Sequence, residues 1–414
     1  MRQIYKGFLE NGKIIISALA ILAFLVVLYA GLSAFFSYKY EAGGKIIGSD
    51  LDDPFSIPKK VFVATHIETP DPLKAMYMTS WVAGTPTLRK HIIDMIRDTE
   101  LNAVVIDIKD DTGRVSFKVE DPALVGIGSE EVRIADLRDF ILELHKENIY
   151  VIGRISSFQD PYMVKLHNDW AVKRASDGVA WKDRKGLSWI DPGAREMWDY
   201  LALVGKESFN AGFDELNYDY IRFPSDGNMQ DIAYPYSEDK NKSEVMNEYY
   251  KYLTTKLREH KSATGVVPVI SADLFGMTTV AINNFDMNIG QVLVDALSHF
   301  DYVAPMVYPS HYPPYFEGYL DPNKVPYEIV KISMDGAVLR ASNLAYSAST
   351  TPEVYINKIR PWLQDFDYGG NYDVAEIRAQ IKAVYDAGLT SWMVWDASNR
   401  YTPSAYNGED GLPR

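Results

Sequence analysis

Short apolar segments alternate with longer amphipathic stretches along most of the chain, and this alternation restricts the possible folds more than any other feature of the sequence. The pattern is typical of βα units, in which a buried parallel strand is followed by a helix that packs on the sheet. Eight segments fit such a strand: residues 75–79, 103–108, 150–155, 215–221, 266–272, 302–308, 358–364 and 391–395. The sequence therefore predicts a (β/α)8 (TIM) barrel.

Amphipathic stretches that fit helices lie between these segments, at residues 88–99, 134–146, 194–209, 243–260, 291–298, 327–342 and 374–386. Several are followed by a glycine just before the next strand, as at Gly212 and Gly388, so the returns from helix to strand are short. The long connections follow the strands instead, at the end where a barrel builds its active site. An open, doubly wound sheet is the alternative fold, but no glycine-rich phosphate loop follows the first strand.

An uncharged apolar run near the start of the chain predicts a membrane helix. Residues 14–36 are 23 residues without a charge. At about 1.5 Å per residue they are long enough to cross a hydrocarbon core of roughly 30 Å. Because Arg2, Lys6 and Lys13 precede the run, the positive-inside rule places the N-terminus in the cytoplasm. We therefore expect a single-pass protein of the cell membrane whose barrel is extracytoplasmic.

These features divide the chain into a cytoplasmic N-terminus (1–13), a transmembrane anchor (14–36), a linker rich in Gly, Pro and Asp (37–73) and the barrel domain (74–414). One short strand is expected in the linker, at residues 61–64. A cleaved signal peptide is the alternative for the apolar run, because small residues near its end offer a cleavage site. Both alternatives export the barrel.

The composition excludes several classes of function. The formal net charge is -14 and no basic cluster occurs in the barrel region, so nucleic acid is not an expected partner. The chain has no cysteine, which removes thiol nucleophiles and cysteine metal sites. The seven histidines form no HExxH motif, and no GxSxG motif occurs. Neither a metal nor another cofactor is therefore expected.

The segment GFDELNYDYIRFPSD at residues 212–226 has the most informative pattern. Side chains alternate along a strand, so Glu215, Asn217 and Asp219 share one face. This polar face is expected inside the barrel, because the outer face packs on helices and needs apolar side chains. Asp219 then lies nearest the mouth as a possible glycosidase nucleophile or base, with Arg222 close enough to keep it ionised. The alternative is an Asp219–Arg222 ion pair that only ties the strand to its loop.

The next strand supplies a second carboxyl group. Ser271 and Asp273 share a face, and Asp273 falls at the end of the predicted strand. Because neighbouring strands lie about 4.8 Å apart, Asp219 and Asp273 could face one glycosidic bond between them. We assign Asp273 as general acid/base, with Asp107 and Asp396 as reserve candidates. The alternative for Asp273 is an N-cap of the following segment.

Polar and aromatic residues at other strand ends and in the loops are predicted to bind substrate. Sugar hydroxyls need polar partners, and sugar rings stack on aromatic faces. Trp181 and Trp189 are the preferred stacking residues. The predicted substrate-binding set is Asp107, Lys109, Arg154, Trp181, Trp189, Glu215, Asn217, Arg222, Tyr308 and Asp396.

The same segments resemble those of a bacterial family of TIM-barrel domains of unknown function, the putative glycoside hydrolase domain family. The matching stretches are YMTSWVAG (77–84), VVIDIKDDTGRVSF (104–117), GFDELNYDYIRFPSDG (212–227), SADLFGMTT (271–279), DYVAPMVYPSHYP (301–313) and WMVWDAS (392–398). The resemblance implies a barrel related to glycosidases, often exported or anchored. Asp219 and Asp273 carry over by their positions in the motifs.

The sequence thus predicts a glycoside hydrolase that acts on a cell-surface or extracellular polysaccharide or oligosaccharide, with Asp219 as nucleophile or base and Asp273 as acid/base. The alternative is a non-catalytic, membrane-anchored barrel that binds glycan. A carboxyl separation beyond about 10 Å would remove the two-carboxylate mechanism. The sugar, the linkage, the stereochemical outcome and the oligomeric state stay open.

Overall fold

The structure, a computed structural model, describes residues 62–408. Within this range the parallel strands pair in sequence order and close into a barrel of eight, in which the last strand pairs with the first. The strands are β1 Lys74–Met78, β2 Ala103–Lys109, β3 Tyr150–Ser156, β4 Glu215–Asp219, β5 Val269–Phe275, β6 Tyr302–Met306, β7 Trp362–Gln364 and β8 Trp392–Trp395. The predicted TIM barrel is confirmed, and the doubly wound sheet is excluded.

Helices cover the outside of the barrel, and each of the predicted helices is present. The α-helices of the described range are Ser80–Ala83, Pro86–Asp98, Pro122–Ile127, Leu137–Lys146, Pro161–Leu166, Arg195–Ala211, Lys242–Arg258, Leu293–His299, Pro326–Ser347, Glu353–Ile356 and Val374–Asp386. Short 3-10 helices lie in the loops at Asn168–Trp170, Gly276–Thr279, Ile282–Asn284, Pro309–His311, Pro322–Lys324 and Pro403–Tyr406.

The strand side chains alternate between two packed layers. In β1, Ala75 and Tyr77 belong to the apolar cluster inside the barrel, whereas Met76 and Met78 belong to the cluster between barrel and helices. β4 follows the same rule, with Leu216 in the outer cluster. Its polar residues therefore point inward, as predicted, and are held in a packed interior.

Gly212 fixes the entry into β4. It ends the helix Arg195–Ala211 with φ of 119°, in the region that residues with a Cβ rarely adopt, and its N–H donates to the carbonyls of Ser208 and Phe209. β4 begins three residues later at Glu215. This short return sets the position of Asp219 at the end of the strand.

Several predicted strand boundaries are shifted, and two of the shifts occur at prolines. β5 begins after Pro268, so Asp273 lies inside the strand and not at its end. β7 begins after Pro361, which lacks the N–H that a ladder needs, and it is shorter than predicted. The short strand predicted at residues 61–64 is wrong over its described part, since residues 62–64 form no strand.

The predicted N-terminal segment 1–13, the predicted anchor 14–36 and most of the predicted linker lie outside the described residues. Across residues 62–408, none of the helices combines the length and the apolar character needed to span a bilayer. The last residues of the predicted linker pack on the barrel. The Ile67 N–H donates to Asp214 Oδ1 at 2.8 Å, and the Leu73 N–H donates to Ser391 Oγ at 3.0 Å.

Candidate active site

A cavity of about 540 Å³ opens at the carboxyl ends of the strands. This is the end at which TIM barrels build their active sites. Its walls are formed by Arg154, Gln159, Asp183, Lys185, Asp219, Tyr220, Arg222, Ser225, Asp226, Asp273, Phe275, Gly276, Met277, Met306, Tyr308, His311, Tyr312, Trp362, Trp395 and Ala397. A second cavity of about 340 Å³ lies beside Tyr302 and Ser391, where β6 and β8 begin, and no predicted site residue lines it.

Arg154, on β3, joins three carboxylates at the base of the cavity. Its Nη1 donates to Asp107 Oδ1 at 2.8 Å, its Nη2 donates to Asp219 Oδ2 at 2.5 Å, and its Nε lies 3.9 Å from Asp273 Oδ2. Burial opposes its charge, yet Asp219, Asp107 and Asp273 together raise the pKa of Arg154 well above its ordinary value. The guanidinium therefore stays charged and ties β3 to β2, β4 and β5.

The contacts of Arg154 also limit the distance between the two predicted catalytic groups. A guanidinium is a compact, planar fork. Carboxylates that lie 2.5 and 3.9 Å from the same one are therefore within about 9 Å of each other, inside the range of about 5 to 9.5 Å that glycosidases use. This limit admits both the retaining and the inverting arrangement.

Asp219 ends β4 and is held from two sides. Besides the contact with Arg154, its Oδ1 accepts a hydrogen bond from the Tyr220 N–H at 2.6 Å. Tyr220 has φ of 53°, a left-handed conformation that is strained for a bulky residue. Such strain is concentrated at functional sites. The carboxylate of Asp219 is thus fixed in one orientation at the cavity wall.

Asp273 has different surroundings. Its Oδ1 accepts hydrogen bonds from Asn217 Nδ2 at 2.9 Å and from Trp362 Nε1 at 2.8 Å, and both donors are neutral. Burial, followed by the nearby negative charge of Asp219, raises the pKa of Asp273 to about 8. At neutral pH the group therefore holds a proton that it can donate.

The guanidinium beside Asp219 is not the one that the sequence predicted. Arg222 lines the cavity, but within the described residues it forms neither the predicted contact nor the alternative ion pair with Asp219. It lies over the rings of Phe275 and Trp189, with its central carbon 4.6 and 4.8 Å from their centroids. Arg154 occupies the place predicted for Arg222.

Lys109 and Glu215, predicted to bind substrate, are buried in ion pairs outside the cavity lining. Lys109 Nζ lies 2.9 Å from Asp160 Oδ2 and donates to the carbonyl of Ser156. Glu215 Oε2 lies 3.0 Å from Arg360 Nη1. Neither side chain lines the cavity, because each buried charge is held by a matched partner.

Asp107, Asn217 and Asp396 also lie behind the cavity wall. Asp107 accepts from Tyr77 Oη and from Arg154, and Asn217 donates to Asp273. Asp396 Oδ1 accepts from the Ser398 N–H at 2.5 Å and so closes the turn after β8. Direct contact with substrate was predicted for all three. Their positions instead suit Asp107 and Asn217 to orient Arg154 and Asp273.

Trp181 and Trp189, predicted to stack on sugars, lie away from the cavity. Each is only 1% exposed, and neither lines the cavity. Trp181 Nε1 donates to the Asn228 carbonyl and Trp189 Nε1 donates to Asp183 Oδ2, both at 3.0 Å. Their indoles form the packed interior of the loop layer, because the long loops need an apolar core of their own.

Trp395 is the aromatic residue that the sequence analysis missed. It ends β8, is only partly buried and lines the cavity. Its ring stacks on Tyr77 at 3.7 Å and lies 4.9 Å from the guanidinium carbon of Arg154. Its place at the end of a strand, directly before Asp396, is the sequence signal that could identify it.

Of the predicted residues, Arg154, Asp219, Arg222, Asp273 and Tyr308 line the cavity. The structure adds charged residues that the sequence analysis did not single out, namely Asp183, Lys185 and Asp226. They come from the loops after β3 and β4, where no strand periodicity indicates which way a side chain points.

Comparison with known proteins places this site in context. Residues 75–401 match the model of a family described as "putative glycosyl hydrolase domain". No curated protein matches the chain. The structure of the PgaB (BpsB) glycoside hydrolase domain from Bordetella bronchiseptica aligns with a TM-score of 0.58 and 12% identity, over 82% of this chain and 99% of that chain. At this identity the similarity shows the fold alone.

A hypothetical protein from Ruminiclostridium thermocellum ATCC 27405 is 35% identical over 48% of this chain and 96% of that chain, with a TM-score of 0.42.

Proposed function

This chain belongs to the family described as "putative glycosyl hydrolase domain", and from that premise we propose that it hydrolyses the glycosidic bonds of a polysaccharide between Asp219 and Asp273. Membership confirms the predicted glycosidase at the level of the family. The observation that carries the rest of the proposal is the unequal environment of two carboxyl groups joined by Arg154. A pair of acids whose surroundings push their protonation apart supplies the acid and the base that the reaction needs.

The proposed reaction uses Asp273 as general acid. Its proton goes to the glycosidic oxygen while the bond from that oxygen to the anomeric carbon breaks. Asp219 either bonds to the anomeric carbon or takes a proton from the water that attacks it. In the first case water later displaces Asp219 and returns a proton to Asp273. In both cases one water is consumed for each bond cleaved.

A row of aromatic rings supports a polymeric substrate. Tyr308, in the cavity wall, lies 5.5 Å from the His311 ring, and His311 lies 5.8 Å from the ring of Tyr368, which is 64% exposed. These centroid distances are those of neighbouring aromatic groups in contact. The row leads from the cavity to the surface, so it can contact sugar units beyond the one that is cleaved.

The location of the reaction is part of the proposal. The uncharged residues 14–36 and the basic residues before them support an anchor with the barrel outside the cell membrane. A cell-surface or extracellular polysaccharide would then be within reach of the cavity.

The pH dependence of the reaction tests the role of Asp273. Because the acid must be protonated, we expect kcat/KM to fall as pH rises through about 8, the pKa of Asp273. Asp273→Asn is expected to lower kcat by about 10²- to 10⁴-fold and to abolish this alkaline limb. The measurement is a rate profile on the best glycan substrate and on an aryl glycoside with an acidic leaving group. The aryl glycoside needs no acid, so the variant should lose much less activity on it.

An unchanged alkaline limb in Asp273→Asn would assign the acid to another group. Equal losses on the glycan and on the aryl glycoside would show that Asp273 does not protonate the leaving oxygen.

Trp395 is proposed as the stacking surface beside the cleaved bond. We expect Trp395→Ala to raise KM about 10-fold or more, because an aromatic face of this size supplies a large apolar contact. Steady-state kinetics on the best substrate measures the effect. Trp81→Ala is the matched control, since Trp81 is 62% exposed and does not line the cavity. An equal KM for Trp395→Ala and the wild type would contradict the assignment.

A further inference from the structure

Arg222 is a buried cation of the cavity that the reaction does not use. Arg222 is 8% exposed. It belongs to the loop that follows β4, and its side chain lines the cavity. Burial is the main effect on its pKa and lowers it. A charge removed from water in this way is costly unless an anion accompanies it.

The hydrogen bonds of Arg222 involve one nitrogen. Its Nη1 donates to the Phe223 carbonyl at 3.0 Å and to Ser225 Oγ at 3.2 Å. Across residues 62–408 the structure gives Nε and Nη2 no acceptor, although a guanidinium has five N–H groups. Three N–H groups are therefore available, and two of them lie side by side on the edge formed by Nε and Nη2.

Two aromatic rings pack against the guanidinium of Arg222 and hold it in place. Its central carbon lies 4.6 Å from the Phe275 ring centroid and 4.8 Å from that of Trp189. Rings that contact the face of a guanidinium leave its edge, which bears the N–H groups, free for an acceptor in the same plane. A planar fork of this kind matches the two oxygens of a carboxylate.

None of the carboxylates around Arg222 in the described residues is bound to the guanidinium edge formed by Nε and Nη2. Asp219, Asp226 and Asp183 act on its pKa at longer range, but in the described part of the chain none of them forms an ion pair with it. Asp183 accepts from Gln159 Nε2 and Trp189 Nε1, and Asp219 accepts from Arg154. Lys185 adds a third cation to the same cavity, beside Arg154 and Arg222.

We propose that Arg222 binds a carboxylate group of the substrate, so that the glycan contains acidic sugars of the uronic acid class. The hydroxyl groups of a neutral sugar could accept hydrogen bonds from the N–H groups of Arg222. They would supply no negative charge to pair with the buried guanidinium. The inference rests on the proposed glycan substrate and names its chemical class.

The test is a binding measurement on matched ligands with the full chain in the Asp273→Asn background. This background suppresses cleavage and keeps the charge of the cavity at pH 7, since Asp273 is neutral there. The ligands are oligomers of galacturonate, mannuronate and glucuronate-containing glycans, each paired with the same oligomer after reduction of its carboxyl groups to alcohols. Calorimetry gives the Kd of each pair.

We expect at least one acidic oligomer to bind about 10- to 100-fold more tightly than its reduced form, as a charge-assisted bidentate contact would. Arg222→Gln should remove that difference, and Arg222→Lys should restore part of it. Arg184→Gln is the control for the loss of one positive charge, because Arg184 is exposed and does not line the cavity. It should leave the difference intact.

Equal affinity for every acidic oligomer and its reduced form would overturn the inference, and so would a failure of all acidic oligomers to bind. An equal loss for both forms in Arg222→Gln would show that Arg222 contacts hydroxyl groups or only supports the wall. The proposed hydrolysis fails separately. If acidic oligomers bind through Arg222 but the wild type releases no reducing ends from them, the inference stands and the enzymatic function does not.

Discussion

Asp219→Asn is expected to lower kcat at least about 10³-fold, because it removes the carboxylate that attacks the anomeric carbon or activates water. The amide keeps the size of the side chain and an oxygen that can accept from Arg154 or Tyr220. KM and the thermal midpoint should therefore change little. Initial rates on the best substrate, together with thermal unfolding of the same preparation, measure both effects.

Asp107→Asn is the matched control for this loss. Asp107 accepts from the same guanidinium at 2.8 Å but does not line the cavity. A moderate loss, about 10-fold or less, is expected because Arg154 is still held by Asp219 and lies beside Asp273. If Asp107→Asn were as damaging as Asp219→Asn, the effect would come from displacement of Arg154 and not from lost chemistry.

The second large effect is expected on stability. Arg154→Met should lower the free energy of unfolding by about 3 to 5 kcal/mol, because it leaves the carboxylates of Asp107 and Asp219 buried without their cation. Urea denaturation at pH 7 measures the loss. Burial already raises the pKa of Asp107. Because acidic pH should protonate Asp107 in the variant, the difference in unfolding free energy between Arg154→Met and the wild type should narrow as pH falls towards about 4.

Arg222→Met provides the comparison, because it removes a buried arginine of the same cavity that has no ion pair in the described residues. Arg222→Met should lower the free energy of unfolding much less than Arg154→Met does, or should raise it. Similar losses for the two variants, or a loss for Arg154→Met that does not depend on pH, would contradict the account of the carboxylate cluster.

The architecture could be predicted because it depends on local patterns. Alternation in β4 places Glu215, Asn217 and Asp219 inside the barrel, and Gly212 starts the strand within a few residues of the preceding helix. Both features can be read from one stretch of sequence. The bounds of β5 and β7 shifted where Pro268 and Pro361 interrupt the pairing.

The partners of the charged residues could not be predicted in the same way, because they come from other strands. Arg222 is three residues from Asp219 in sequence, but Arg154 is its partner, across the β3–β4 pairing that aligns Ser156 with Asp219. Likewise, Lys109 pairs with Asp160 and Glu215 with Arg360. Register and tertiary contact decide such pairs, and a single sequence specifies neither directly.

The most direct test of the central claim is the release of reducing ends from a panel of acidic and neutral polysaccharides by the full chain, with Asp219→Asn in parallel. We predict release from at least one polysaccharide by the wild type, with loss of nearly all of it in Asp219→Asn. Binding of a glycan without any release by the wild type would contradict hydrolysis and favour a non-catalytic glycan-binding barrel. Equal release by both proteins would exclude Asp219 from the reaction.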